Sequence, residues 1–191
     1  VEKQKQEAVR RAIKDLDYRP NVFAQGLAGG RSMTLGILIQ NIGSPFYDTI
    51  AQGAIAGLSG SGYTPLFVDG QWEHEREAAA IETLIARKVD GLLLVGGDIR
   101  ASELKRYNQQ MPLIVVGRNM KELSRQCVSV DNRKIGYLAT RHLIDQRHRR
   151  IAFLHGTDWH PDAQHRYTGY LEALREAKIK RSGELIYMGD F

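Results

Sequence analysis

Between Thr34 and Gly70 the chain alternates an apolar run, a helical pattern and a second apolar run, and few folds accept that order. Thr34-Leu-Gly-Ile-Leu-Ile-Gln40 has the continuous apolar character of a strand covered on both faces. Ser44 followed by Pro45 suits an N-cap and the first helical position. Phe46, Ile50, Ala54 and Leu58 then recur at helical spacing, and Gly60 and Gly62 supply a stop. Tyr63-Thr-Pro-Leu-Phe-Val-Asp69 reads as a second strand. The unit is βαβ, which predicts parallel strands and a right-handed crossover. Ligands of such sheets bind outside the strand C-termini, so residues 41–47 are expected at a binding edge.

The alternation continues. Residues 73–88 read as a helix with Ile81, Leu84 and Ile85 inward, and 91–95 as a third strand ending in Gly96-Gly97-Asp98. Ser102 is the expected cap of a short helix carrying Leu104 and Tyr107. Residues 112–116 form the fourth strand, and 127–130 a short fifth that delivers Asp131. A helix over 133–146 sets Ile135, Leu138, Ala139 and Leu143 on one face. A strand over 150–155, a helix over 162–177 and a strand over 184–188 close the series, the helix with Tyr167, Tyr170, Leu171 and Leu174 inward. Five strands with their helices make an open sheet, but two strands and a helix are too few for a second core. The expectation is a chain cut at both ends.

Ahead of the sheet, residues 2–17 pattern as an amphipathic helix with Ala8, Val9, Ala12, Ile13 and Leu16 in one stripe. A lone helix this short is marginal in water, so the stripe is expected to pack on something, as the last helix of a small helical domain would. Pro20 then breaks the helix and holds Arg19 extended. Asn21 can cap a short helix, weakened by Gly26, before the flexible Gly29-Gly30-Arg31-Ser32. Such a segment suits either a plain linker or a helix that forms only on binding.

Charge agrees with a polyanion partner for this arm. Residues 1–32 hold seven Lys or Arg against four Asp or Glu, while the whole chain of 191 residues carries a formal +5. One cysteine, Cys127, excludes an intrachain disulfide. No membrane-length apolar stretch or signal-peptide pattern is present, and a reducing, cytoplasmic compartment is expected. Catalytic motifs are absent too. No G-x-G-x-x-G follows the first strand, and neither a P-loop nor a G-x-S-x-G occurs. His155, His160 and His165 fall five apart, which scatters them around a helix, and no cysteine or carboxylate completes a metal set. Neither a catalytic residue, a metal nor a cofactor is expected.

The strand C-ends do collect a binding set: Phe46, Tyr47, Asp69, Asp98, Arg118 and Asp131. Aromatic faces pack on the apolar face of a sugar ring or a base, and carboxylates and guanidinium groups fix hydroxyls or anions.

In order along the chain, several motifs resemble the lactose/galactose-repressor (LacI/GalR) family. Residues 1–21 resemble the last headpiece helix and exit, and 24–31 the hinge helix. Leu35-Gly-Ile through Ser44-Pro-Phe-Tyr47, Arg87-Lys-Val-Asp-Gly-Leu-Leu-Leu94 and Val130-Asp-Asn-Arg-Lys-Ile-Gly136 continue the match. So do His148-Arg-Arg-Ile-Ala-Phe153 and Arg166-Tyr-Thr-Gly-Tyr-Leu-Glu-Ala-Leu174, so that the resemblance spans essentially the whole chain.

The resemblance implies a periplasmic-binding-protein-like α/β fold, an open parallel sheet flanked by helices with the second subdomain incomplete, and a homodimeric repressor of operator DNA. It implies a helical headpiece remnant over 1–19, a hinge over 20–32, an effector-binding subdomain over 33–148 and the start of another over 149–191. Family hinge helices pair in the minor groove, where a leucine wedges a base step apart. Leu27 stands at that position with Ala24 and Ala28 beside it, and Gln25 and Asn21 are within reach of backbone or base edges. For the effector, the family places a small molecule (a sugar, sugar acid or phosphate, or purine) between two subdomains. Phe46 and Tyr47 match its aromatic wall, Asp69 and Arg118 lie at neighbouring strand ends, and Asp131 matches a polar anchor. Arg166 matches the effector-binding arginine, with His160 and Asp162 at effector-loop positions.

Gly26 departs from the family by replacing a helix former, and the helix-turn-helix and most of a C-terminal subdomain are not in these residues. The polypeptide as written is therefore expected neither to bind an operator tightly nor to close a complete pocket. The rival readings are a free-standing solute-binding protein, which would want an export signal and no basic hinge, and a small α/β enzyme, which would want a catalytic set.

Overall fold

The computed structural model describes residues 2–17 and 30–189. Two compact units divide the chain, Val1–Ser129 and Val130–Phe191. The first opens with α1 (Glu2–Asp15), whose side chains from residue 3 onward are exposed, Val9, Ile13 and Leu16 among them. The expected apolar stripe is thus present but unburied among the described residues.

β1 (Thr34–Ile39), α2 (Pro45–Leu58) and β2 (Thr64–Asp69) form the opening βαβ unit. α3 (His74–Ala86), β3 (Gly91–Val95), α4 (Ala101–Gln110), β4 (Leu113–Val116) and β5 (Cys127–Val128) follow, with a single 3-10 turn at Lys121–Leu123. The five strands lie in the order β2-β1-β3-β4-β5, all parallel, with Leu35 opposite both Pro65 and Gly91. Alternation along β1 splits the core into two layers, as the pleat requires. Leu38 faces a cluster with Ile81, Leu84, Leu104 and Tyr107, whereas Ile37 and Ile39 face Tyr47 and Val95. β1 is covered on both sides, which is why it reads as an unbroken apolar run.

Local details depart from expectation in three places. Ser44 occupies the cap position of α2 but makes no side-chain cap bond; Asp48 instead accepts from the Gly43 N–H at 3.3 Å. Tyr47, not Phe46, is the aromatic of α2 that turns inward, with Ile50 and Ala54 beside it. Ser102 lies inside α4, whose cap position is Arg100.

The second unit contains α5 (Asn132–Asp145), β6 (Phe153–His155), α6 (Pro161–Glu176) and β7 (Ile186–Met188), with a 3-10 turn at Gly183–Leu185 and β6 parallel to β7. α5 packs on α6 within this unit. It does so with an unexpected face. Gly136, Thr140 and Ile144 are buried, while Ile135, Leu138, Ala139 and Leu143 are exposed. The reason is backbone proximity: a Cβ on Gly136 would lie 2.0 Å from the Arg166 carbonyl oxygen, and one on Gly169 would lie 1.9 Å from that of Arg133. Two glycines let the helix axes approach closer than any side chain allows. Arg133 and Glu172 pair across the crossing at 2.8 Å, and Tyr137 donates to Glu176 at 2.7 Å.

Candidate functional site

Strand order changes direction between β1 and β3, and in open α/β sheets that switch point is where the C-terminal edge opens into a binding crevice. Loops from β1, β2, β3 and β4 converge there. Phe46, at the start of α2, is 66% exposed, and its ring stands edge-on to Tyr47 at a centroid distance of 5.1 Å. Tyr47 in turn meets Trp72 edge-on at 6.3 Å. Asp69 closes β2 and spends its carboxylate on the backbone, accepting from the N–H groups of Asn41, Ile42 and Gln71 at 3.0 to 3.1 Å. It therefore shapes the β1 and β2 loops rather than standing open as a bare anion.

Two buried polar side chains lie beneath this edge, Gln40 and Glu77, both 0% exposed. Glu77 accepts from the Asp98 N–H at 2.9 Å and the Ile99 N–H at 3.2 Å, which pins the loop after β3. Burial pushes its carboxyl above the ordinary value, although those two N–H donors and the nearby Arg118 pull the other way. Gln40 accepts from the Trp72 N–H at 2.7 Å, and its Nε2 finds no acceptor among the described residues. Arg118, half-buried at the end of β4, donates to the Ile99 carbonyl at 2.7 Å. His74 lies 3.3 Å from Glu103 on the flank of the same edge.

In the second unit Asp131 caps α5, accepting from the Lys134 N–H at 2.9 Å. Arg166 donates to the side chain of Asn132 at 2.8 Å, which places it beside that cap. His160 caps α6 by accepting from the Asp162 N–H at 3.3 Å; burial lowers its pKa, and Asp162 opposes the shift. Among the described residues no group of three His, Cys, Asp or Glu side chains is placed to hold a metal, and no helix is long and apolar enough to cross a membrane.

The structure thus gathers Phe46, Tyr47, Asp69 and Arg118 along one sheet edge, and Asp131, His160, Asp162 and Arg166 at the N-terminal ends of two helices. Asn21, Ala24, Gln25, Leu27 and Ala28 lie outside the described residues. Just beyond them, Asp90 fastens the chain to the first unit, accepting from the N–H groups of Ser32 at 2.8 Å and Met33 at 2.9 Å. Trp72, Gln40, Glu77 and Asn132 were not anticipated as site residues. Trp72 alone had a legible signal, an aromatic just past a strand C-end.

A parallel sheet of this order, with aromatic and charged groups at its C-terminal edge, has the α/β architecture of the periplasmic-binding type. Residues 32–185 match the family model for periplasmic binding proteins and the sugar binding domain of the LacI family. The chain is 31% identical over 184 residues to the transcriptional regulator GalR of Salmonella typhimurium, covering 96% of this chain and 54% of that one. It is 32% identical over 173 residues to the ribose operon repressor of Haemophilus influenzae, covering 91% and 52%. Among solved structures, the transcriptional regulator CelR in complex with cellobiose superposes with a TM-score of 0.68 at 30% identity, over 97% of this chain and 56% of that one. The chain belongs to the LacI/GalR family. It spans about half the length of the curated relatives it matches.

Proposed function

We propose that this chain serves in a homodimeric, cytoplasmic transcriptional repressor whose affinity for operator DNA is set by a small-molecule effector, a sugar or sugar derivative. The observation that carries the reading is the convergence of Phe46, Tyr47, the Asp69-ordered loops and Arg118 at the switch point of the sheet. Family membership and the sugars that name two relatives, a ribose operon repressor and a regulator in complex with cellobiose, support the effector class. Phe46, Tyr47 and Arg166 are proposed effector contacts, each taken within its own unit. Control requires the effector to bind one state better than the other, and the coupling is reciprocal. Asp90 supplies a mechanical link, because it ties the chain just after the hinge residues to the start of β3.

Two results test this. Arg166→Ala is expected to abolish the thermal shift produced by sugars, while the unliganded melting temperature stays within a few degrees. A ligand at one hundred times its Kd adds roughly 2.7 kcal/mol, so the loss is easily seen; an unchanged titration curve would remove Arg166 from the site. Separately, Leu27→Ala in the intact regulator is expected to weaken operator binding and reduce DNA bending without altering effector affinity. Undiminished bending in a circular-permutation gel shift would exclude the wedge.

A further inference from the structure

The first sheet has a second edge, and space lies against it. At the N-terminal ends of β1, β2 and β3, opposite the edge that carries Phe46, a cavity of about 760 Å³ opens between residues 30–32, the start of β2 and the turn from α3 into β3. Every residue that lines it belongs to the first unit. Small-molecule sites run from about 300 to 1,000 Å³, so the space suits an organic ligand rather than a few waters. The floor is apolar. Leu66, Ile85 and Met111 pack on the core behind them yet remain half-buried, and Val89 completes the surface.

Charge selects the ligand. Arg31, Arg87 and Lys88 line the cavity, all three exposed, and no described residue supplies any of them with a side-chain partner. One carboxylate, Asp90, lines it with them, and it is engaged: it accepts from the Ser32 and Met33 N–H groups and, at 3.1 Å, from the Ser32 hydroxyl. The C-terminal ends of α3 and α4 also reach the cavity, at Arg87 and at Gln110, and each brings about half a negative charge. Three cations against one carboxylate and two such half charges leave a net of about one positive charge. The apolar floor disfavours a small hydrated ion, whose polar surface would go unmatched there, and the net charge disfavours a cation.

We infer that this cavity is a second ligand site, which takes an organic monoanion with an aromatic body. The rings lie on Leu66, Ile85, Val89 and Met111, and the carboxylate or sulfonate is held by Arg31, Arg87 and Lys88. Binding here does not depend on a sugar at the other edge. The position also gives the ligand a lever. Residues 30–32 follow directly on the proposed hinge, and Asp90 already ties them to the turn between α3 and β3. A ligand held by Arg31 on one side and by Arg87 and Lys88 on the other adds a second tie across the same gap.

The test compares two fluorescent probes of similar shape, 1-anilinonaphthalene-8-sulfonate and the uncharged N-phenyl-1-naphthylamine, titrated into the full chain and into the double variant Arg87→Glu/Lys88→Glu. The sulfonate should bind saturably and roughly tenfold more tightly than the amine, and the double variant should lose that advantage while the amine's affinity stays as it was. Bound sulfonate should slow hydrogen exchange at the Ser32, Met33 and Thr34 amides and along 85–90, and leave 41–47 unchanged. Where the double variant does not fold, Lys88→Gly removes one charge at a left-handed φ of 60° that glycine adopts freely, and it should weaken the sulfonate alone by roughly threefold. Equal affinities for the two probes, an undiminished sulfonate affinity in the folded variant, or protection confined to 41–47 would overturn the site.

Discussion

Gly169→Ala is expected to destabilise the second unit by about 4 kcal/mol, at the upper end of what one methyl group can do. The added Cβ would lie 1.9 Å from the Arg133 carbonyl oxygen and 2.6 Å from the Tyr137 nitrogen, both backbone atoms that no rotamer change can move. The helices must therefore separate. Separation would uncover the Tyr170, Ala173 and Leu174 cluster and break the Arg133–Glu172 and Tyr137–Glu176 contacts. Gly136→Ala meets the Arg166 carbonyl at 2.0 Å and should cost a similar amount. Because one displacement accommodates both methyl groups, the double variant should lose less than the two singles combined, with a coupling of about 1 to 3 kcal/mol. Denaturant unfolding of the four proteins checks this; an additive cycle, or singles within about 0.5 kcal/mol of wild type, would contradict the crossing geometry.

The second large effect is expected at Glu77. Glu77→Ala leaves the Asp98 and Ile99 N–H groups without their acceptor in a fully buried position and opens space beside Gly70 and Gly97. Loss of a charged acceptor together with two orphaned donors should cost on the order of 3 kcal/mol. The acid also gives a pH signature. Burial raises its pKa, so the folded protein holds that proton more tightly than the unfolded chain. The corresponding stability is complete below the unfolded pKa and is lost as pH rises through the folded value. Asp98, Arg118 and the flanking His74–Glu103 pair are the charged groups around it. Glu77→Gln removes this contribution. The stability difference between wild type and Glu77→Gln, measured by urea unfolding at stepped pH, should therefore fall as pH rises from the acid side; a flat difference would show that Glu77 keeps its ordinary pKa.

The β/α alternation was legible because strands covered on both faces leave runs such as Gly91–Val95 with no polar residue to confuse them. Helix α3 was equally plain, since Ile81 and Leu84 have no competing apolar stripe. α5 was not. Its apolar stripe of Ile135, Leu138 and Leu143 is exposed, and its buried face is built on Gly136 and Thr140, residues that periodicity counts as neutral or polar. A contact made by leaving side chains out has no hydrophobic signature. At the site, Asp69 and Arg118 were recognisable as strand-end charges, but their engagement by backbone groups depends on loop conformation that no period encodes. Trp72 carried a signal as an aromatic just past a strand C-end, but its tie to Gln40 joins residues 32 apart, which no period encodes.

The glycine crossing has a consequence for motion. Helices separated by leucines can slide, because their rotamers yield and the gap is compliant. α5 and α6 meet backbone to backbone at two points, with no soft layer between them, and behave as one stiff strut. Asp131 sits at the head of α5, and Arg166, in α6, is tied to Asn132 of α5. A displacement of the Arg166 guanidinium is therefore felt through Asn132 at the head of α5.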